Sequence, residues 1–267
     1  MNYWTQSNKN IFVAAHRGWP KNFPENTMIS FRNAVHAGVD QLETDVHMTK
    51  DGELVLMHDT TLDRTTNGTG LLKNCTLAQL KQLDASYKFP QFAGEKIPTL
   101  REFFEEFAPI EGMTFDIEFK VYPEEGQEDW AYEATDKIIA MIEEFDLVDR
   151  VVVNSWHAQI LEYVEKKWPG KYRIHAYYPY ERMKGVRNIC PAEYAYCACV
   201  LGPAKSGIIG SGEDYAYVNG TKMESWTSTA CKTKEQVVDA IEKGTTLITC
   251  NNVDEILQYL KELGYHK

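Results

Sequence analysis

The 267-residue chain is predicted to fold as an α/β protein, a closed (β/α)8 barrel of the TIM class with an insertion after the second strand. Three observations carry that expectation. Short apolar runs alternate with amphipathic helical stretches along the whole chain, and strand–helix–strand with short links is the unit of a parallel sheet. The strands number eight when residues 54–58 are taken as an extension of the second, and eight such units in roughly 250 residues fit a closed barrel. No Pro/Ser/Gly-rich linker divides them, so residues 1–267 are read as one domain, with residues 59–97 inserted at the end where the strands terminate. An open doubly wound sheet is the alternative architecture.

Residues 11–15 are a short apolar run, a buried strand ending at His16-Arg17-Gly18. Asn26 or Thr27 caps a helix running to His36, with Ile29, Phe31, Ala34 and Val35 apolar and Gly38 stopping it. Residues 41–47 alternate, so Glu43 and Asp45 share one face while Leu42, Thr44 and Val46 share the other. Lys50-Asp51-Gly52-Glu53 signals a two-residue hairpin, because Asp-Gly tolerates the positive φ such turns need. If Lys50 pairs with Glu53, counting back along both arms puts Asp45 opposite His58, on the face of the two carboxylates. A bulge would shift that register.

Residues 59–96 are polar and irregular, with a turn at 67–70 and a short helix over 77–83. Residues 98–107 read as helix, and 113–120 as a strand with Asp116, Glu118 and Lys120 on one face. Helices over 129–145, 158–168, 180–188, 214–218, 234–243 and 253–263 then alternate with strands at 151–155, 172–177, 195–200, 222–227 and 246–250. Active sites of such barrels lie at the strand C-termini. His16, Glu43, Asp45, Glu118, Lys120, Ser155 and Trp226 all fall at or near a predicted strand C-terminus.

The formal net charge of −11 argues against nucleic acid or an anionic membrane as a general partner, so an anionic substrate needs a local positive site. Residues 1–6 lack the apolar core of a signal peptide, and no run approaches membrane-spanning length. The six cysteines are scattered without CxxC spacing; free thiols in a reducing cytoplasm are the expectation. Cys197 and Cys199 share a strand face and read as buried small residues. No sequence feature specifies an oligomeric state.

A Glu-x-Asp pair in a strand is most often a solvated face, and a strand-end histidine is most often structural. Their combination with an apolar opposite face and a facing histidine points to chemistry. Glu43, Asp45 and Glu118 offer all-oxygen ligation, which favours one hard divalent cation, Mg2+ or Ca2+ or else Mn2+, over zinc. That cation would leave a formal charge of about −1 on the cluster, and Arg17 and Lys120 would bring it to about +1, matched to a phosphodiester. His16 and His58 remain for proton transfer.

The segments His16-Arg17-Gly18, Pro24-Glu25-Asn26-Thr27, Glu43-x-Asp45, Thr49-Lys50-Asp51-Gly52, His58-Asp59, Leu62-x-Arg64-Thr65-Thr66, Gly68-Thr69-Gly70, Ile97-Pro98-Thr99-Leu100 and Ile117-Glu118-Phe119-Lys120 closely resemble those of the glycerophosphodiester phosphodiesterases. Trp226-Thr227 and Ile248-Thr249 resemble that family's late motifs. The resemblance implies a barrel of the phosphatidylinositol phospholipase C-like kind. It implies metal ligands at Glu43, Asp45 and Glu118, an acid/base pair at His16 and His58, and phosphate contacts from Arg17 and Lys120. The expected reaction is hydrolysis of a small-molecule glycerophosphodiester to sn-glycerol 3-phosphate and an alcohol.

The chain departs from the family at Ser228-Thr229 after Trp226-Thr227, at Cys250-Asn251 after the last strand, and at Asn154-Ser155-Trp156. These positions bear on head-group preference. Trp19, Tyr122, Trp156, Tyr178 and Trp226 are read as an aromatic pocket wall, with Trp226 over the substrate, packing on the glycerol carbons in preference to facing a cationic head group, which goes with a broad head-group range. The rival readings are an enolase-type barrel using Lys120 as base, a non-catalytic phosphodiester-binding barrel, and a lysophospholipase D-like enzyme with an apolar acyl channel.

Overall fold

A computed structural model of the chain describes Trp4, residues 10–124 and residues 126–267. Residues 1–6, read as lacking a signal-peptide core, lie outside the described residues apart from Trp4. Eight strands, β1 (Phe12–His16), β2 (Gln41–Met48), β4 (Thr114–Phe119), β5 (Val151–Asn154), β6 (Arg173–Tyr178), β7 (Cys197–Val200), β8 (Glu224–Thr227) and β9 (Leu247–Cys250), pair in parallel. The ring closes because β1 pairs with both β2 and β9. β3 (Leu54–Leu56) adds an antiparallel strand to β2.

The outer helices are α1 (Met28–Ala37), α2 (Leu77–Leu80), α3 (Leu100–Phe107), α4 (Glu128–Glu144), α5 (Ala158–Lys167), α6 (Gly212–Asn219), α7 (Lys234–Glu242) and α8 (Val253–Leu263). Their apolar periods bury them on the sheet. α4 buries Ala131, Ala134, Thr135, Ile138, Ile139 and Ile142, one face at helical spacing. α3 starts at a capping box in which Thr99 and Glu102 satisfy each other's backbone N–H, and its phenylalanines pack on Phe31 and Phe115. None of the described helices is long and apolar enough to cross a membrane.

Two expectations need correction. The helix expected over 180–188 is only a 3-10 turn at Tyr180–Arg182. Met183 is extended there, and Lys184 pairs its backbone with Trp156 and Ala158. This gives the segment sheet-like partners in place of helical ones. The hairpin after β2 has a three-residue loop. Thr49, not Lys50, pairs with Glu53; the Thr49 hydroxyl donates to Asp51 Oδ1 at 2.6 Å, and Gly52 takes φ +82°. A third loop residue with left-handed backbone is the usual companion of a bulge. The register therefore slips by one: Val46 faces Leu56, and the Met57 N–H donates to the Asp45 carbonyl.

Continued pleating would send His58 to the wrong face, but β3 ends at Leu56 and His58 is free of the pleat. Residues beyond it carry a small apolar cluster of their own, with Met57, Leu62, Leu72, Leu80, Ala85 and Ile97 packed on Val55.

The link from β1 to α1 is closely packed. Gly18 sits at φ +83°, and a Cβ there would lie 2.4 Å from the Ser30 hydroxyl and 2.9 Å from its backbone carbon. Gly18→Ala is expected to cost about 2 kcal/mol or more, from left-handed strain plus overlap with α1. Thr99→Ala, which removes one cap, is expected to cost about 1 kcal/mol. Denaturant midpoints compare the two, and equal costs would show that the Gly18 contact relaxes freely.

Candidate active site

Parallel pairing sets inward-facing residues side by side: His16 beside Glu43, Glu43 beside Asp116, Asp45 beside Glu118, Glu118 beside Asn154, and Asn154 beside His175. Alternation thus delivers four carboxylates to the barrel mouth from β2 and β4. Carboxylate oxygens of Glu43, Asp45 and Glu118 lie within 4.8 Å of one another, and all three residues are buried.

Arg17 follows β1 at φ +59°, an uncommon conformation for a non-glycine residue. Its N–H donates to Glu43 Oε2 at 2.8 Å, and its Nε lies 3.2 Å from Asp45 Oδ2. Asn26, at φ +54°, donates to the same Asp45 oxygen at 2.9 Å and accepts from the Thr44 hydroxyl. Lys120 Nζ donates to Glu118 Oε1 at 2.7 Å and stands 3.5 Å from Asp45 Oδ1.

Electrostatics follow from this packing. Burial alone would raise the Asp45 carboxyl, but Arg17 and Lys120 outweigh it and hold it well below the usual range. Burial and the Asp45 charge push Glu43 well up. Burial, opposed by Lys120 and helped by Asp45, brings Glu118 to about 7. Asp45 Oδ1 is buried and accepts no hydrogen bond. A compact, all-oxygen, electron-rich cluster with an unused buried oxygen fits a hard divalent cation.

The two histidines are held differently. His16 Nδ1 meets the Asn251 Oδ1 acceptor at 2.7 Å, which leaves Nε2 with the lone pair of the neutral ring. Burial and the adjacent Arg17 lower it to about 3. His58 Nδ1 meets a carboxylate, Asp59 Oδ1, at 2.6 Å; burial still lowers it, with Asp45 and Asp59 pulling upward. Asp59 is gripped by Arg64 at 2.6 and 3.0 Å, Arg64 grips Glu25 through two contacts of 2.7 Å, and Glu25 accepts from Arg17 at 3.0 Å.

His16, Arg17, Glu43, His58 and Glu118 form the polar wall of one cavity of about 370 Å3. Trp156, Tyr177, Cys199 and Leu201 form its apolar wall, with Trp156 stacked on Tyr177 at 4.0 Å. Lys120 faces a neighbouring cleft with His47 and Tyr122. Trp226 is a correction: expected on the pocket wall, it has no exposed surface. It fills the barrel interior with Trp4, Ala14, Val152, Cys197 and Leu247, and its ring packs on His175. Its strand position points it inward at a layer below the mouth.

Several residues at the site have partners that the sequence did not assign. Asp59 could have been noticed beside His58. Asn251 and Arg64 become partners only through tertiary folding. Asp116 accepts from Asn154 at 2.5 Å and from His175 Nδ1 at 2.8 Å, and His175 lines the cavity floor. The alternation of β4 placed Asp116 correctly, but no local signal marks His175.

Comparison with known proteins adds kinship. The model of the glycerophosphoryl diester phosphodiesterase family matches residues 16–200. A glycerophosphodiester phosphodiesterase of Caldanaerobacter subterraneus subsp. tengcongensis is 44% identical over 162 residues, 59% of this chain and 63% of that protein. One from Bacillus subtilis is 36% identical over 178 residues, 60% of this chain and 57% of that protein. The chain thus spans less than two thirds of these relatives' length. Among solved structures, a glycerophosphodiester phosphodiesterase from Agrobacterium tumefaciens superposes with a TM-score of 0.72 at 20% identity, covering 92% of this chain and 98% of that one. An Oleispira antarctica phosphodiesterase in complex with the product sn-glycerol-3-phosphate gives 0.75 at 22% identity, covering 94% and 96%. At these identities the likeness is one of fold, and it agrees with the closed barrel.

The His16 environment yields a titration test. In the metal-free protein His16 is expected to stay neutral between about pH 5 and 8, seen by nitrogen-15 NMR of the ring. Asn251→Asp puts a carboxylate on Nδ1 and is expected to raise its titration by about one unit or more. An unchanged titration would remove Asn251 as the ring's partner.

Proposed function

The chain belongs to the glycerophosphoryl diester phosphodiesterase family, and from that premise we propose that it is a divalent-metal-dependent hydrolase of small glycerophosphodiesters. It releases sn-glycerol 3-phosphate and an alcohol. The observation that carries this reading is the buried Glu43/Asp45/Glu118 cluster, of which Glu43 and Glu118 line one cavity with two histidines, each pinned at Nδ1. The complex of the Oleispira relative with sn-glycerol-3-phosphate supports the substrate class. The whole chain is read as one phosphodiesterase barrel, with residues 59–97 as the insertion at its active-site end.

Glu43, Asp45 and Glu118 would hold the cation, Mg2+ or Ca2+ or else Mn2+. There it supplies Lewis-acid polarisation of the phosphoryl group. Arg17 binds the anionic phosphodiester, with its guanidinium oriented by Glu25 and Asp45, and Lys120 adds positive charge through its contacts with Glu118 and Asp45. His16 is the base: its Nδ1–H is committed to an amide oxygen, so its Nε2 lone pair takes the proton of the nucleophile as the new P–O bond forms. His58 is the acid: burial lowers its ring, but Asp45 and the carboxylate at its Nδ1 oppose that lowering, where His16 has only an amide at Nδ1. The His58 Nε2–H passes to the alkoxide oxygen as the old P–O bond breaks. Environments that separate two titrating groups are how acid and base are assigned. The nucleophile is water or the substrate's own hydroxyl. The enzyme acts without nucleic acid or stable membrane insertion, and its six free thiols suit a cytoplasmic setting.

The apolar wall of Trp156, Tyr177 and Leu201 favours one second reading, a lysophospholipase D-like enzyme that lays an acyl chain along it. A phosphodiester panel with and without divalent metal, with products identified by phosphorus NMR, tests both. Metal-dependent release of sn-glycerol 3-phosphate is expected, and a cyclic phosphate signal would assign attack to the substrate hydroxyl. Release from lysophospholipids alone would favour the second reading, and full turnover in EDTA with an emptied site would refute the metal mechanism. Glu43→Gln and Asp45→Asn are expected to lose both metal and turnover. His16→Ala and His58→Ala are expected to keep the metal in calorimetry and lose at least about 100-fold in rate. A variant with near-wild-type turnover would return that histidine to a structural role.

A further inference from the structure

We propose that Arg64 is the positioning residue of this site, one guanidinium that aligns His58 through Asp59 and Arg17 through Glu25. The inference rests on the phosphodiesterase reading above and adds a residue to it. His58 lies just past the end of β3, on irregular chain, with a third of its side chain exposed. No strand neighbour fixes its ring. Asp59 does so at Nδ1, and both oxygens of Asp59 are in turn taken by Arg64 Nε and Nη2. The plane of that carboxylate is therefore set by the guanidinium.

The same guanidinium sets a second carboxylate. Arg64 Nη1 and Nη2 take the two oxygens of Glu25, and Glu25 Oε1 also accepts from Arg17 Nη1. Arg17 Nε then ends at Asp45. Beyond His58, charges alternate along the whole line: Asp59, Arg64, Glu25, Arg17, Asp45. Arginine suits the central place because its planar fork serves two carboxylates with fixed geometry, which the single ammonium of lysine cannot do. The two arms make different demands on catalysis. The Asp59 arm orients the group that protonates the leaving oxygen. The Glu25 arm orients the group that binds the phosphodiester.

The arms separate in a kinetic experiment on the full chain with divalent metal supplied. Two substrates share the glycerophosphoryl half: glycerophosphoethanolamine, whose alkoxide needs a proton to leave, and the p-nitrophenyl ester of glycerol 3-phosphate, whose phenoxide does not. Asp59→Asn is expected to lower the ratio of kcat on the first to kcat on the second by about 10- to 100-fold, with KM nearly unchanged. Glu25→Gln is expected to raise KM for both by about 10-fold and to keep the ratio. Arg64→Ala is expected to do both. The ratio does not depend on the folded fraction, so partial destabilisation of the variant leaves the readout intact. Equal slowing of both substrates by Arg64→Ala, or wild-type kinetics in it, would overturn the proposal and leave Arg64 a structural ion-pair partner. A wild-type protein that cleaves neither diester would instead overturn the functional reading itself, and the relay with it.

Discussion

The mouth of the barrel is built around one buried charge. Asp45 has no exposed surface, and a desolvated carboxylate costs several kcal/mol unless it is paired. The link between β1 and α1 is shaped by that demand. Arg17 and Asn26 both adopt left-handed backbone; Arg17 brings its guanidinium to ion-pair distance from Asp45 Oδ2, and Asn26 donates a hydrogen bond to the same oxygen. Such strain costs of order 1–3 kcal/mol per residue and persists only where the surroundings over-determine it. Here the Thr44 hydroxyl holds Asn26, and Glu25 holds Arg17. The short run Pro24-Glu25-Asn26-Thr27 therefore serves three ends at once. Glu25 orients Arg17, Asn26 solvates Asp45, and Thr27 caps α1.

That compensation is incomplete. Among the described residues, the permanent cations near Glu43, Asp45, Asp116 and Glu118 are Arg17 and Lys120, and Asp116 is satisfied separately by Asn154 and His175. Burial first, and then the neighbouring negative charge, raise the carboxyls of Glu43 and Glu118. An arrangement that works against the stability of the bare barrel is the one that would draw a divalent cation into it. Binding would favour the ionised forms of those two carboxyls.

The barrel was legible because its signal is repetitive. Each period-2 run and each helical period is read locally, and errors at the ends of elements do not alter the ring. Two local readings failed where tertiary partners intervened. The expected helix at 180–188 gives way to pairing between Lys184 and the chain at 156–158. The hairpin slipped because the Thr49 and Asp51 side chains close a three-residue loop. The second error touched the site directly, since the slipped register faces Asp45 with Met57. His58 still lines the cavity, but by leaving the sheet rather than by pairing in it. Carboxylates fixed by strand alternation were thus readable from sequence, as was His16 at the end of β1. Trp226 was misplaced because being near a strand end does not say how deep in the barrel a side chain points.

Sequence treats His16 and His58 as equivalent, and the fold does not. His16 stands on the ring of parallel strands, where closure through β9 brings Asn251 to its Nδ1. An amide cannot stabilise an imidazolium as a carboxylate does, and burial removes the water that would. His58 stands outside the ring, where chain beyond β3 supplies Asp59 and Arg64. The difference is one of construction. The rigid ring furnishes the carboxylate cluster and a histidine held neutral, and the irregular excursion furnishes a histidine whose partner is charged. In the proposed reaction the ring would govern attack on phosphorus, and the excursion would govern departure of the alcohol. Head groups differ in that departing alcohol. Variation in the excursion could then retune which alcohols leave while the carboxylate cluster stays fixed by the pleat of β2 and β4.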